Sequence, residues 1–444
     1  MPLIPDFVLW GLALVMFIDY LGLAEDLAVL KVTRAATVMA YGLFAVVAIR
    51  GGLTLALASR QSRLMLGLMG LAFLSLLYAV VRSYVPAAIR AQLDYFALFV
   101  MTAALMDRRD RVKKLSFIVT IVILVLVGRN VDLLTSGERV GVFRAGSFLG
   151  DGNDFSWGMV SLMLFPLYLM LGPHGVMSRA FGVIGVAAAL FGVVGTQSRG
   201  ATLAIAGAAL YYMFVLSRRR IASIIVIGAL AGLALVLSPQ SYVARVTDTR
   251  VSEDSSAQGR LRAWKASVRM ALDYPLGVGF GSFNSAYGRF YVEEADAVFD
   301  FGARRWISAH SIYFKVLGEA GFIGLGLVLA LLYANFKDNQ ACLKFVQAHP
   351  EQAGIDDRWP ALLNFGLVGF AVGGAFLGGI SYPHVYLLSG LTLACRRMTI
   401  DRPEERSTLP VRQRVPTVPL LAPRPAIALG RHVAGARAEG LRAR

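Results

Sequence analysis

Asp254-Ser255-Ser256-Ala257-Gln258-Gly259-Arg260, then Trp264, then Asp273-Tyr274-Pro275-Leu276-Gly277-Val278-Gly279-Phe280-Gly281, and last Ala309-His310-Ser311-Ile312-Tyr313 fall within residues 238–321, a long stretch that does not read as membrane. It ends at the mouth of another apolar run, so the fold is decided by where this stretch lies relative to lipid. Around it the 444-residue chain is 57% hydrophobic and 16% charged, with a mean hydropathy of +0.61. Those values lie outside the soluble range and in the polytopic membrane class.

Working outward, apolar runs matched to a hydrocarbon core of roughly 30 Å, about 20 helical residues each, fall near 7–24, 32–49, 64–82, 86–106, 115–128, 153–172, 180–197, 200–216, 221–238, 310–336, 361–379 and 383–396. The expectation is an all-α polytopic bundle of about 12 transmembrane helices with one large periplasmic loop. The formal charge of +16 brings nucleic acid to mind, yet basic residues also collect in cytoplasmic loops. With the N-terminus inside, Arg50, Arg60, Arg63, Arg108, Arg109, Arg111, Lys113, Lys114, Arg179, Arg218, Arg219, Arg220, Lys337 and Lys344 all fall on cytoplasmic connections. The loop 239–309 then falls outside, its acids nearly balancing its bases, and no nucleic-acid partner is expected.

The expected divisions are N-terminal transmembrane helices over 1–194, a core over 195–336 that contains the loop 239–309, C-terminal transmembrane helices over 337–396, and a basic, disordered cytoplasmic tail over 397–444. The tail reads as an anchor for anionic inner-leaflet lipid. Met1-Pro2-Leu3-Ile4-Pro5-Asp6 lacks a signal-peptide n-region and is expected to lead straight into the first span. Cys342 and Cys395 suggest neither a disulfide framework nor a metal site. Ionisable residues within spans are costly and therefore informative. The candidates are Asp19, Arg90, Asp94 and Glu319; Arg90 and Asp94, four apart, suit an ion pair, and Glu319 either supports His310 or caps a packing contact.

In this topology four clusters meet at the outer face. Arg139, Arg144 and Gly150-Asp151-Gly152-Asn153-Asp154 lie between the fifth and sixth spans, and Thr196-Gln197-Ser198-Arg199-Gly200 makes a tight turn between the seventh and eighth. The long loop adds Arg260, Arg262, Lys265, Arg304 and Arg305, and His310 opens the tenth span. Guanidinium groups bind phosphate oxygens in pairs and stay charged, while a histidine near neutrality can take a proton from an attacking hydroxyl. Taken singly, each has a plainer reading: arginines at helix ends snorkel to headgroups, and a histidine at a helix start caps it. Gly277-Val278-Gly279-Phe280-Gly281 lacks the Lys-Ser or Lys-Thr of a phosphate loop and reads as a bend around Pro275. Glu293, Glu294 and Asp296 read as a solvated acidic run. Trp264, with Leu261 and Val268 at helical spacing, reads as the apolar side of an amphipathic helix on or near the membrane.

Ser198-Arg199-Gly200 at a span boundary, Gly259-Arg260 with Trp264, Pro275-Leu276-Gly277-Val278-Gly279, His310-Ser311-Ile312-Tyr313, and Gly318-Glu319-Ala320-Gly321-Phe322-Ile323-Gly324-Leu325 stand in an order that resembles the O-antigen ligase and polymerase superfamily. The closest likeness is to the O-glycosylation ligases associated with exosortase systems, and it is strongest over about 195–325. The resemblance implies a bacterial inner-membrane glycosyltransferase with both termini cytoplasmic, acting in surface polysaccharide or glycoconjugate biosynthesis. It implies transfer of a glycan from undecaprenyl diphosphate to a hydroxyl of lipid A core, another glycan or protein at the periplasmic face, with no cofactor and no metal. Carried over residue by residue, Arg199 and Arg260 hold the diphosphate and His310 is the base or orienting group, which makes these three the catalytic candidates. The substrate-binding candidates are Arg304, Arg305, Arg144, Asn153, Trp264 and Tyr313, of which Arg304 and Arg305 rest on charge alone. Two other readings stand beside this one: a polymerase of the same superfamily, and a lipid-linked glycan flippase or secondary transporter, whose ionisable residues would be expected near the midplane.

Overall fold

The apolar runs fold as helices, because a backbone without water must satisfy its hydrogen bonds within its own segment. The computed structural model describes residues 4–136, 142–216, 255–292, 307–378 and 382–401, and every regular element among them is helical. In chain order the main helices are α1 (Asp6–Leu21), α2 (Ala35–Ile49), α3 (Arg60–Ser75), α4 (Val85–Leu105), α5 (Arg109–Arg129), α6 (Gly152–Leu171), α7 (Val176–Gly195), α8 (Arg199–Tyr211), α9 (Ser255–Asp273), α10 (Ile312–Ala348), α11 (Arg358–Gly374) and α12 (Pro383–Met398). Helices occupy every expected span except 221–238, which lies outside the described residues, as do Arg139, Arg218, Arg219, Arg220, Glu293, Glu294, Asp296, Arg304, Arg305 and the tail from 402 onward. Four stretches are long and apolar enough to cross a membrane: Arg82–Leu105, Gly152–Leu171, Val176–Gly195 and Ile312–Ala348.

The described part of the long segment is not merely loop. It holds the 19-residue α9, packed along the start of α10. Its apolar stripe is covered unevenly by the rest of the chain. Trp264 turns inward with Ala263, Ala266 and Met270, whereas Leu261 and Val268 stay 40% and 39% exposed.

The basic connections gather at one end of the bundle, where carboxylates neutralise them. Asp6 pairs with Arg108 and Arg111, Asp338 with Arg60 and Arg396, and Asp356 with Arg109. Arg111 is buried, and its remaining N–H groups donate to Ile4 O and Leu105 O, so no donor is wasted on a buried charge. Arg90 and Asp94 do form an i,i+4 pair, at 3.9 Å, and the Tyr41 hydroxyl donates to Asp94. Cys342 and Cys395 are buried free thiols.

The tenth expected span, 310–336, differs in kind from its neighbours. Its helix breaks at Gly321 (φ 64°, ψ −165°) and then continues to Ala348. A break of this sort strands the carbonyls of the preceding turn. The glycine stretch fills that gap: Val278 N–H donates to Gly318 O at 2.8 Å and Gly279 N–H to Glu319 O at 3.0 Å. The Glu319 carboxylate accepts from the Phe283 N–H and the Gly281 backbone. Of the two readings of Glu319, support for His310 therefore gives way to a cap on this loop. Pro275 to Gly281 is more than a bend, because it serves as the hydrogen-bonding partner of the helix break. On its other side, Val80 N–H donates to Val278 O and the Tyr78 hydroxyl to Leu276 O, tying the loop to the segment after α3.

Candidate active site

Two tight turns with the same construction open α8 and α10. Gln197 (φ 55°) precedes the cap residue Ser198, and His310 (φ 44°) precedes the cap residue Ser311. A non-glycine residue at positive φ is strained by about 1–3 kcal/mol and persists only where its surroundings impose it. At the first turn the surroundings are visible. The Ser198 hydroxyl donates to Asn153 Oδ1 at 2.9 Å, and the Asn153 N–H is held by Asp151 Oδ1 at 2.7 Å. The polar run before α6 and the turn before α8 are therefore one assembly, with Arg199 as the first residue of its helix.

The second turn is fixed by α9. Trp264 Nε1 donates to Ala309 O at 2.9 Å, and the Trp264 ring stacks on Phe314 at 4.8 Å and 10°. Farther along, the Met270 sulfur and the Phe283 ring close on Gly318, so α9 and the start of α10 run side by side in the same direction. Arg260 lies one turn before Trp264 on α9, toward the end of the helix pair where His310 stands. Arg260 is half-buried and His310 exposed.

The end of α11 joins the two turns. Phe376 lies 6.4 Å from Trp264 between ring centroids, and its Cβ comes within 3.1 Å of where a side chain on Gly200 would begin. The Tyr313 hydroxyl donates to Ala371 O at 2.7 Å, and Ile312 packs against Gly374. Arg199, Asn153, Trp264, Tyr313, His310 and Arg260 are thereby gathered at one end of the bundle, opposite the ion-paired basic end. The starts of α6, α8 and α10 meet there, and helix starts carry partial positive charge.

Arg144 is placed differently. Its guanidinium makes a two-pronged pair with Asp132 at 2.8 and 3.0 Å and donates to Arg129 O. That hydrogen-bonded guanidinium holds the Asp132 carboxyl below its ordinary range. The charge of Arg144 is thus matched locally. Three residues that carried no assigned role in the sequence also stand at this end. Asp154 follows Asn153, the Tyr382 hydroxyl faces the Asp154 carboxyl, and Lys315 lies within the electrostatic reach of both Asp154 and Glu319. Lys315 did carry a signal, being a charge inside an apolar run five residues beyond His310. Among the described residues, no group of three or more His, Cys, Asp or Glu side chains has the arrangement of a metal site.

Residues 184–329, about a third of the chain, match the family model described as O-Antigen ligase. This stretch runs from within α7 through Arg199, Arg260 and His310 to just beyond the break at Gly321, and includes both the glycine loop and the carbonyls it pairs with. No curated protein matches the chain.

Proposed function

We propose, on the premise that residues 184–329 belong to the O-antigen ligase-like superfamily, that this chain is a multi-pass inner-membrane glycosyltransferase that moves a glycan from undecaprenyl diphosphate to an acceptor hydroxyl of lipid A core or protein at the periplasmic face. The observation that carries the reading is the joining of two distant turns. Asn153 holds the turn of Arg199, and Trp264 holds the turn of His310 on the helix that bears Arg260.

In this mechanism Arg199 and Arg260 grip the diphosphate, and the starts of α8 and α10 add their partial positive charge. The acceptor oxygen attacks the anomeric carbon as the bond from that carbon to the diphosphate oxygen breaks. The hydroxyl proton passes to the His310 imidazole, and the electron pair leaves with the diphosphate, whose growing charge the arginines stabilise. Trp264 and Tyr313 flank these groups, and Arg304 and Arg305 add cationic charge to the same segment. The basic end of the bundle, rich in Arg60, Arg108, Arg109, Arg111 and Arg396, would face the cytoplasm.

The test uses purified protein in nanodiscs with undecaprenyl-diphosphate-linked oligosaccharide and follows glycan mass on rough lipopolysaccharide, a second lipid-linked glycan and a periplasmic protein extract. Transfer to the first or third acceptor, lost in Arg260→Ala and His310→Ala variants that still insert, supports the ligase. Transfer to lipid-linked glycan alone makes the chain a polymerase. Movement of glycan lipid across the bilayer without a new covalent bond, or undiminished transfer by either variant, overturns the assignment.

A further inference from the structure

The outward side of α9 has the wrong composition for a helix facing water. With 3.6 residues to the turn, Leu261, Lys265, Val268 and Leu272 fall within about 60° of one another around its axis. Ala263, Ala266 and Met270 lie on the opposite side, buried in a small core with Val278, Phe283 and Ala309. The stripe is thus not core, yet its residues are aliphatic except for Lys265, and Leu272 is 66% exposed. Tyr274 and Phe290 stand exposed at the end of the helix, where the Tyr291 hydroxyl donates to Asp273 Oδ2 at 2.7 Å. A helix facing water puts polar residues on its outer side, and contiguous exposed apolar surface marks a contact. The charges on this side are positive: Lys265 lies in the stripe and Arg269 on its border, both exposed. The only acid of α9 is Asp273, the one that Tyr291 engages.

We propose that this stripe is seated on the lipid of the membrane that holds the bundle, its aliphatic side chains at the acyl boundary and Lys265 and Arg269 on anionic lipid headgroups. The inference goes beyond the glycosyltransferase reading and does not depend on it. Aliphatic residues interleaved with cations suit the boundary between acyl chains and headgroups, where long cationic side chains lay their methylenes along apolar surface and reach the phosphates. The stripe also continues a surface that belongs to a span. Pro275 O packs on Gly321 just past the end of α9, and Phe322 and Ile323, the next residues of the span Ile312–Ala348, are themselves exposed. A second copy of the chain is a poorer occupant, because a two-fold contact through the stripe would gather Lys265 and Arg269 of both copies in one interface. Lipid on one side and the small core on the other then hold α9 between them, and with it Arg260 and Trp264.

The experiment reads lipid contact rather than activity, on the full chain in nanodiscs of phosphatidylcholine mixed with phosphatidylglycerol. A nitroxide is attached in the Val268→Cys variant. Val183→Cys, on the exposed side of α7, gives the lipid reference, and Glu351→Cys, between α10 and α11, gives the water reference. Cys342 and Cys395 are buried and leave the label to the new thiol. The expected ratio of oxygen to nickel-chelate collisions at Val268 is that of Val183 and not that of Glu351. In a second arm, phosphatidylglycerol retained by wild type and by the double variant Lys265→Gln, Arg269→Gln is compared by native mass spectrometry, with a loss of affinity of about fivefold expected for each cation removed. A water-like ratio at Val268 overturns the proposal. Spin–spin broadening at Val268 that disappears on dilution with unlabelled protein overturns it too, by giving the stripe to a second copy. Equal phosphatidylglycerol retention by wild type and the double variant overturns the headgroup contacts, and the seating on anionic lipid with them.

Discussion

The Ser198 hydroxyl donates to Asn153 Oδ1 at 2.9 Å, and this bond joins two turns separated by 45 residues of sequence. Ser198 also caps α8 by accepting from the Ala201 N–H, so it fixes both the helix start and its neighbour Arg199. Removing the hydroxyl in Ser198→Ala should cost about 1 kcal/mol as a lost cap. It should cost more in function, on the order of tenfold or greater in transfer, because small misplacements of a positioning group are amplified at the reacting centre. Ser198→Thr should retain most activity. Asn153→Ala should resemble Ser198→Ala, and the double variant should be little worse than either single one. Additive losses in transfer kinetics would mean that the two residues act independently.

Gly321 meets Pro275 at the break in α10. A Cβ on Gly321 would come within 2.0 Å of Pro275 O, and its φ of 64° with ψ of −165° is a conformation essentially reserved for glycine. Gly321→Ala should therefore displace the glycine loop from Gly318 and Glu319 and reduce the monodisperse fraction recovered in detergent. Gly326 is a control on the same helix, since nothing lies within 4 Å of its would-be Cβ. Gly326→Ala should be neutral or slightly stabilising. Equal recovery of both variants by size-exclusion chromatography would show that the loop does not depend on the break.

Most helices were legible because hydropathy and the length of an apolar run both point to them. α6, α7 and α11 lie close to where the pattern sets them. The break at Gly321 was not legible, because Gly318-Glu319-Ala320-Gly321 interrupts neither hydropathy nor helical period. What stops the helix is a loop some 40 residues earlier in the chain, and its hydrogen bonds leave no local trace. The pattern also extended α3 to residue 82, whereas the helix ends at Ser75 and the following residues pair with the glycine loop. Among the candidate site residues, Arg199 and His310 stood out in the sequence by their place at the boundaries of apolar runs, and Arg260 by its charge within the long segment between them. The matching of Arg144 was not, because its partner Asp132 lies on a short helix, Val131–Thr135, that has no apolar run to announce it. Lys315 and Tyr382 drew no notice for a different reason: their neighbour Asp154 is far away in sequence.

At the opposite end, Asp338 ties three helices together. It accepts from Arg60, Gln61 and Arg396, and its side chain is only 6% exposed. Asp338→Asn should lower stability by about 2–3 kcal/mol, since breaking a buried pair leaves cations uncompensated, discounted here because both arginines reach solvent. Asp110, paired with Lys114 at 2.7 Å but 58% exposed, provides the contrast. Asp110→Asn should cost below about 1 kcal/mol. Thermal unfolding of both variants in the same detergent tests the ranking, and a reversed order would remove Asp338 as the tie.

His174 lies in the turn between α6 and α7, edge-on to Tyr168 at 5.0 Å. Burial, and after it the nearby cations Lys113, Arg109 and Arg179, hold its imidazole below the ordinary 6.5, with Asp356 opposing them. The folded chain therefore favours neutral His174, and the unfolded chain takes up the proton first. The stability this contributes is fully present above about pH 6.5 and is lost as pH falls through the lower folded-state value. Melting temperature measured in detergent from pH 8 to pH 5 should decline below pH 6.5 in the wild type and less steeply in His174→Gln. Identical slopes in the two proteins would transfer the acid sensitivity from His174 to the carboxylates of the ion-paired end.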